Sequence, residues 1–398
     1  MMWNFVIILV AVLVYVYLSP FFKKLDPVSY SVSLPDKLTG PLEPNEILDR
    51  TEKLFENTLH WPEAFAVWKD KIYTGLGDGR IVSISGNKMG VVCRTGTECA
   101  GQHEEHLCGR PLGMQFDKKG LLYVVDGYLG LLSVDVETGK KKVILPSSTL
   151  VNDKPLFFLN DLHLDEKENV IYLTQSSTRW NISMVIVSIL EHDTSGRLLK
   201  FDLKTKQVTE VLPDLAFPNG VELSHKGDSL LVAEGNNHKI FKYYLSGPTK
   251  GQKTDLPLVL PGEPDNISRN KRGNYWVGLA SCRSKENPTI YDRVSELPFL
   301  RQWFLHLHRL STAPIRALLG VIPNKWANEV GFELQSGRIV ADLPMSHGII
   351  VEIDDNGKII RSLQSPSGKV VHISEILEHN GYLYLGSWRN HYLGRLKL

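Results

Sequence analysis

Hydrophobic and polar positions alternate in short segments along most of this 398-residue chain. One pattern recurs: a pair of aromatic or aliphatic residues, a turn that contains glycine, and a second alternating strand. The six copies are centred on Tyr73, Tyr123, Tyr172, Leu231, Trp276 and Tyr384. The intervals between these centres are 50, 49, 59, 45 and 108 residues. Once an insert is subtracted from the last interval, the mean step is about 50 residues, within the range of propeller blades.

These repeats predict an all-β fold, a six-bladed β-propeller over residues 61–398 with a helical insert at residues 284–345 in blade five. A pair of β-sandwiches is the alternative, but it would not require one repeat at a nearly constant period. Within the insert, apolar residues recur at i+3 and i+4 spacing from Val294 to Leu310, with basic residues between them. This spacing predicts an amphipathic basic helix that packs on blade five, covers the propeller or lies on a membrane surface.

The segment before the repeats has two parts. The first contains a run of 20 residues without a charge, from Trp3 to Phe22, which Lys23 and Lys24 close. A helix of that length spans about 30 Å, the thickness of the hydrocarbon core of a bilayer. No basic segment precedes the run, and residues 17–19 are a poor cleavage site, which disfavours a signal peptide. Residues 1–22 are therefore predicted to be an uncleaved transmembrane anchor, and residues 23–60 a stalk.

The orientation of this anchor depends on weak signals of opposite sign. Lys23 and Lys24 would draw the end of the helix to the cytosol. Two sequons, at Asn181 and Asn266, matter only on the lumenal side. Together with the cysteines, they favour a single-pass type II membrane glycoprotein whose body is lumenal or extracellular, at the plasma membrane or the endoplasmic reticulum.

The four cysteines add to this picture. Cys99 and Cys108 are spaced for a short disulfide loop, typical of an oxidising compartment. With the two histidines between them they also form C-x3-H-x2-H-x-C, but this spacing matches no usual zinc finger and the loop is tight. The disulfide is therefore favoured. Cys93 and Cys282 are expected to be buried thiols or a second pair.

Charge and composition exclude some classes of function. The chain has 45 Lys and Arg against 44 Asp and Glu, a formal net charge of +1. This balance carries no electrostatic footprint for nucleic acid. With 42% hydrophobic residues, the chain is also not disordered. A folded domain that acts on a small molecule or a protein is expected.

In a propeller, residues at one phase of the repeat converge on one end of the central channel. The positions 10 to 12 residues before the repeat centres hold oxygen donors in four blades. They are Glu63, Asn160, Asn219, Asp265 and Asn266. Two carboxylates and three amides suit Ca²⁺, which takes six to eight oxygen ligands, whereas the lack of Cys and His disfavours zinc. The alternative is that these residues only form turns.

Blades two and six have other residues at this phase. They contribute Arg110 with Pro111, and His372. His372 is either a general base beside the metal or a hydrogen-bonded structural residue, and Asp161 could orient a ligand or a water. Because Asn266 cannot both coordinate a buried cation and carry a glycan, the metal hypothesis leaves Asn181 as the glycosylation site.

Several segments resemble the strictosidine synthase-like family. They are residues 108–113 (CGRPLG), 158–162 (FLNDL), 217–221 (FPNGV), 261–267 (PGEPDNI), 275–278 (YWVG) and 378–387 (EHNGYLYLGS). The resemblance implies a type II membrane glycoprotein with a six-bladed propeller and arylesterase-like activity. It also implies a channel calcium, as in the related paraoxonases and gluconolactonases. The positions that match their ligands are again Glu63, Asn160, Asn219, Asp265 and Asn266.

The resemblance also implies what this chain does not do. Plant strictosidine synthases use a glutamate in the last blade, two positions after a histidine that matches His372, and here Ser374 occupies that position. Without a carboxylate there, synthase activity is disfavoured. A calcium-dependent hydrolase of aryl esters or lactones is expected instead, with His372 or Asp161 assisting water and Arg110 binding an anionic part of the substrate. The alternative is a non-catalytic surface binding or adhesion propeller with structural calcium.

Overall fold

The computed structural model describes residues 25–322, 324–338 and 347–398. The anchor predicted at residues 1–22 therefore lies outside the described residues. Within the described ranges, no helix is both long and apolar enough to cross a bilayer.

The described chain forms six four-stranded antiparallel sheets and one two-stranded hairpin. The first strand, β1 (Glu52–Leu54), belongs to the last sheet. The first sheet contains β2 (Phe65–Trp68), β3 (Lys71–Gly75), β4 (Arg80–Ser85) and β5 (Lys88–Arg94). The second contains β6 (Pro111–Phe116), β7 (Leu121–Asp126), β8 (Gly130–Asp135) and β9 (Lys141–Pro146). The hairpin pairs β10 (Leu150–Val151) with β11 (Lys154–Pro155).

The other four sheets follow in chain order. The third contains β12 (Leu159–Asp165), β13 (Val170–Gln175), β14 (Gly196–Asp202) and β15 (Val208–Leu215). The fourth contains β16 (Pro218–Leu223), β17 (Ser229–Glu234), β18 (Lys239–Tyr244) and β19 (Lys253–Asp255). The fifth contains β20 (Pro264–Arg269), β21 (Tyr275–Leu279), β22 (Gly348–Ile353) and β23 (Ile359–Ser365). The last contains β24 (Ile373–His379), β25 (Tyr382–Ser387), β26 (Leu393–Lys397) and β1.

Five α-helices lie outside the sheets in the described part. They are α1 (Glu105–Cys108), α2 (Val185–Glu191), α3 (Ile290–Arg293), α4 (Pro298–Leu319) and α5 (Lys325–Ser336). The last three lie between β21 and β22, where the sequence predicts a helical insert. The main helix of that insert begins at Pro298 rather than Val294, because Thr289 caps a separate short helix through a capping box with Asp292.

The repeat centres identify the second strand of every sheet, namely β3, β7, β13, β17, β21 and β25. These strands are apolar because a hydrophobic cluster fills each junction between neighbouring sheets. The junction between the last sheet and the first is filled in the same way, with Leu393 packed against Ile72 and Val82. Sheets stacked in this manner bury both of their faces, which confirms the propeller fold.

The first strand of each sheet carries the feature that positions the site. In β6, β12, β16, β20 and β24 the pairing with the second strand skips two residues, so each of these strands has a β-bulge. The bulged pairs are Leu112-Gly113, Asn160-Asp161, Asn219-Gly220, Asp265-Asn266 and Ser374-Glu375. In the first sheet, Glu63 and Ala64 hold the corresponding places just before β2. A bulge re-aims side chains, so five of the six sheets share one device for presenting them.

Neighbouring sheets also touch at the level of the bulges. A Cβ on Gly75 would lie 2.7 Å from the carbonyl oxygen of Pro111, and one on Gly220 would lie 2.7 Å from Asn266 Cα. Between the last sheet and the first, Ser374 Oγ donates to the carbonyl of Glu63 at 2.7 Å. The first strands therefore approach one another closely enough to bring their bulged residues together.

The segment predicted to be a stalk differs from that expectation. From Leu25 onward it packs against the sheets, and Leu48 is fully buried in the junction between the fifth and last sheets. Its strand β1 pairs with β26, with Glu52 opposite Arg395. The physical reason is that the outer edge of the last sheet has unpaired backbone groups, which a strand from the other end of the chain satisfies.

Candidate metal and substrate site

A cavity of about 160 Å³ lies at the end of the sheets where the bulges occur. Its polar lining comes from four sheets and consists of Glu63, Asn160, Asn219 and Asp265. Its aromatic lining consists of Trp61, Phe158, Phe217 and Trp388. The helix α2 and the turn before it add four isoleucine and valine side chains. The cavity therefore joins a small polar region to a large apolar one, as in sites for small organic ligands.

All five predicted metal ligands are buried. In the part of the chain that the structure describes, Oδ1 of Asn219, Asp265 and Asn266 has no hydrogen-bond partner. Asn160 Nδ2 donates to Ser176 Oγ at 2.8 Å, which orients that amide. Buried oxygens without partners are costly, so three of them on adjacent sheets indicate a missing partner.

The electrostatics of the cavity point the same way. Burial raises the pKa of Glu63, although Arg110 opposes this shift from 3.6 Å. Burial and the Glu63 carboxylate raise the pKa of Asp265 well above its usual range. Two carboxylates that raise each other's pKa in a buried cavity would both be stabilised in the ionised form by a cation.

The donor set fits a hard cation such as Ca²⁺, since it offers carboxylate and amide oxygens and room for water. Among the described residues, no three His, Cys, Asp or Glu side chains come together as a metal cluster, so the candidate set depends on its three asparagines. A soft metal such as zinc finds no thiolate or imidazole among these five ligands.

Arg110 lies beside the candidate ligands. It precedes β6, and its buried guanidinium donates to the carbonyl of Trp388 at 3.1 Å and stacks on Trp61 at 4.8 Å. Within the described residues, its Nη1 has no hydrogen-bond partner. A cation at the cavity wall with an unused donor can bind an anionic or carbonyl oxygen.

Asp161 occupies the second position of the β12 bulge, next to Asn160. Its Oδ2 accepts from the Val221 amide at 2.9 Å, and its own amide donates to Thr174 Oγ1 at 3.0 Å. Burial raises the pKa of Asp161 to about 7. The carboxylate is therefore held rigidly between the second, third and fourth sheets.

His372 is placed differently from the phase prediction. The bulge of the last sheet holds Ser374 and Glu375, and His372 comes two residues before it, with φ of 55°. Its ring packs edge-on against Trp388, with 5.0 Å between centroids. From the last sheet, Trp388 and Arg389 reach the cavity lining. His372 thus contacts a wall residue, and its role as a base stays a prediction.

Glu375 is a residue that strand alternation misplaces. Alternation puts it on the face opposite to Ser374, but the bulge between Ile373 and Ile376 breaks the alternation. Its carboxylate accepts from Ser268 Oγ and from the Asn266 side chain. Burial, then the nearby Asp161 carboxylate, raises its pKa well above the usual range. Reading the bulge offset across all sheets would have identified it.

The predicted disulfide between Cys99 and Cys108 is confirmed, with 5.4 Å between the Cα atoms. The zinc alternative fails because both thiols are consumed and His103 Nδ1 lies 3.1 Å from Glu329 Oε1 in α5. Cys93 and Cys282 are free thiols, half-buried rather than paired. The disulfide closes a loop that ends two residues before Arg110.

The two sequons have different surroundings. Asn181 is exposed at the start of the turn before α2. Asn266 is only 2% exposed, so its side chain has no room for a sugar in the folded protein. Glycosylation of Asn181 stays a prediction.

Comparisons with known proteins agree with the fold and the motifs. The profile described as strictosidine synthase matches residues 160–248, and the strictosidine synthase-like N-terminal profile matches residues 40–84. A gluconolactonase from Xanthomonas campestris superposes with a TM-score of 0.55 at 12% identity, over 94% of this chain and 98% of that one. A second solved structure, a putative gluconolactonase, gives 0.52 at 13% identity, with 95% of each chain covered. The class is therefore a strictosidine synthase-like propeller with a gluconolactonase-like fold.

Sequence relatives define the family within this class. Adipocyte plasma membrane-associated protein from Rattus norvegicus is 35% identical over 376 residues, which cover 94% of this chain and 93% of the relative. The protein of the same name from Homo sapiens is also 35% identical, with 94% and 84% covered. The chain belongs to the adipocyte plasma membrane-associated protein family.

Proposed function

We propose that this chain is a calcium-dependent hydrolase of aryl esters or lactones, built on one closed six-bladed propeller. The observation that carries the proposal is the set of three buried amide and carboxylate oxygens, on Asn219, Asp265 and Asn266, that lack partners beside the Glu63 carboxylate. Six sheets with a hydrophobic cluster at every junction support the closed ring. The gluconolactonase-like fold supports the reaction class.

The proposed ligands are Glu63, Asn160, Asn219, Asp265 and Asn266. When bound, Ca²⁺ supplies a Lewis acid for the substrate carbonyl and charge stabilisation for the oxyanion. Arg110 binds an anionic oxygen of the substrate through its unused donor. The aromatic lining excludes water and holds the apolar part of the substrate.

Two side chains are candidates for activating water. Asp161 lies next to a proposed ligand and is fixed by hydrogen bonds, whereas His372 contacts only the wall residue Trp388 among the aromatic lining. If one of them is the base, removing it lowers kcat far more than it raises KM. Comparing Asp161→Asn with His372→Gln therefore separates the two assignments.

We also propose that the protein is anchored by residues 1–22 as a type II membrane protein with its body outside the cytosol. The names of its relatives support membrane association. The disulfide and the exposed Asn181 support an oxidising, glycosylating compartment.

The test is an assay of the full chain, purified in detergent, with phenyl acetate and a series of lactones. Turnover should require Ca²⁺, disappear with a chelator and return when Ca²⁺ is restored. Asn219→Ala should lower kcat/KM at least about 100-fold, by analogy with loss of one oxyanion-stabilising group. Asn236→Ala is the matched control, because Asn236 lines the same cavity without belonging to the proposed ligands.

The same assay separates the alternative, a binding or adhesion propeller with structural calcium. One observation favours it: Arg110 already provides a positive charge 3.6 Å from Glu63. Calcium-dependent stability without turnover of any ester or lactone would favour that alternative. Turnover that ignores both chelator and Asn219→Ala would remove the metal from the mechanism.

A further inference from the structure

The helix α4 is inverted relative to a helix of a soluble protein. Its buried positions include polar residues, with Arg301 at 0% and His306 at 1% exposure. Its exposed positions are apolar: Phe299, Phe304, Leu307, Leu310, Ile315 and Leu318. A helix that faces water on its outer side normally shows the opposite arrangement.

The exposed apolar surface continues beyond the end of α4. Val321, Ile322 and, at the start of α5, Trp326 are also exposed, Trp326 at 65%. We call this continuous set of nine side chains, from Phe299 to Trp326, the apolar stripe. Scattered exposed apolar residues are normal, but a row of nine along one helix and its turn marks an interaction surface.

The inward polar residues have a structural reason. Arg301 donates to four backbone carbonyls, at Val294, Ser295, Leu190 and Val28. It thereby joins three segments: α4 with the loop before it, the last turn of α2, and the chain that follows the predicted anchor. The orientation of the helix is thus fixed by this buried guanidinium, which leaves the apolar stripe on the outside.

The described chain begins at the same place. Leu25 is buried against Leu305 of α4 and Val187 of α2. The Val28 amide donates to the carbonyl of Glu191, and the Tyr30 amide to that of Ser295. The charge-free run ends at Phe22, only three residues before Leu25, and three residues span at most about 10 Å. The end of the run therefore lies within about 10 Å of α4.

We propose that the apolar stripe lies in the surface of the bilayer that residues 3–22 enter, with α4 as an in-plane membrane helix. Amphipathic helices of this kind bury their apolar face about 5–10 Å into the boundary between headgroups and acyl chains. Arg293, Arg309, Arg316 and Lys325 come from the same insert and provide positive charge for anionic headgroups. The membrane would thus cover the helices that pack on α2, next to the cavity.

The test uses the full chain in lipid nanodiscs with one fluorescent label on an engineered cysteine. The background carries Cys93→Ser and Cys282→Ser, since both are free thiols. The probes are Leu307→Cys and Leu318→Cys on the stripe, and the control is Leu150→Cys, which is 62% exposed on a hairpin of the third sheet's edge region. Iodide reports access from water, and a nitroxide on the upper acyl chain reports contact with lipid.

The proposal predicts that both stripe labels are quenched by the lipid nitroxide and that iodide quenches them at least roughly threefold less than the control label. Equal iodide quenching at positions 318 and 150 would overturn it. Protection from iodide without lipid quenching would also overturn it, because the stripe would then be covered by residues 3–22 or by a second copy. Two labelled positions guard against one variant that fails to fold. The result does not depend on whether the protein is an enzyme.

Discussion

Replacing Glu105 by leucine tests how the helical insert is fastened to the sheets. Arg338 Nη1 and Nη2 donate to Glu105 Oε2 and Oε1 at 2.8 and 2.6 Å, and the Tyr128 hydroxyl donates to the same carboxylate. Glu105 is 1% and Arg338 8% exposed. Burial, then the charge of Glu105, raises the pKa of Tyr128. The pair joins the end of the insert to the disulfide loop.

The magnitude follows from the burial of this pair. Glu105→Leu leaves the Arg338 guanidinium buried without its partner, which costs about 3–5 kcal/mol of unfolding free energy. Arg338→Met leaves the Glu105 carboxylate in the same position and should cost a similar amount. The double variant buries neither charge and loses mainly the Tyr128 hydrogen bond, about 1 kcal/mol. The double variant should therefore be more stable than either single variant.

The assay is equilibrium urea unfolding of the full chain in detergent, with all variants in the same micelles. Arg316→Met is the matched control, because its exposed guanidinium joins α4 and α5 through a single hydrogen bond to Gln335 at 2.9 Å. It should change the unfolding free energy by no more than about 0.5 kcal/mol. Costs that simply add in the double variant, or a cost of Glu105→Leu no larger than the control's, would refute the reasoning.

Three other perturbations test separate parts of the structure. Gly386→Ala should lower the unfolding free energy by about 1–3 kcal/mol, because its Cβ would overlap a carbonyl of the first sheet, whereas Gly331→Ala, which meets no atom within 4 Å, should not. Burial alone would raise the pKa of Glu352, but hydrogen bonds from two asparagines and two arginines lower it to about 2. Its folded-state pKa thus lies below the unfolded one, so its contribution is complete above about pH 4.5 and is lost as the pH falls towards 2; Glu352→Gln should flatten urea-measured stability over that window. Mass spectrometry should find one glycan lost in Asn181→Gln, and sugar on Asn266 would contradict its burial.

Much of the fold can be predicted from the sequence because the strongest signal is local. Each second strand is buried between two sheets, so its apolar run and turn repeat six times and locate every sheet. The pairing of β1 with β26 is not local, since more than 300 residues separate Glu52 from Arg395. A three-residue strand within a Pro-rich segment has no periodicity of its own, and it therefore read as a stalk.

The site shows the same division. Asn160, Asn219 and Asp265 follow turn-forming residues at a constant distance from the repeat centres, so their convergence could be predicted. Leu112 and Ser374 hold the corresponding bulge positions in the other sheets, one or two residues after Arg110 and His372. A bulge shifts the register by one residue and cannot be recognised from alternation. Likewise, the period of α4 shows an apolar face but not which way it points.

The central claim is that the partnerless oxygens form a calcium site, and calorimetry of Ca²⁺ binding tests it most directly. The full chain, stripped with a chelator and dialysed, should bind one Ca²⁺ in the cavity. Asn219→Ala should weaken this binding at least about tenfold, which is about 1.4 kcal/mol, and Asn236→Ala should leave it unchanged. Equal Ca²⁺ affinity in the wild type and Asn219→Ala, or no binding to the wild type, would contradict the account.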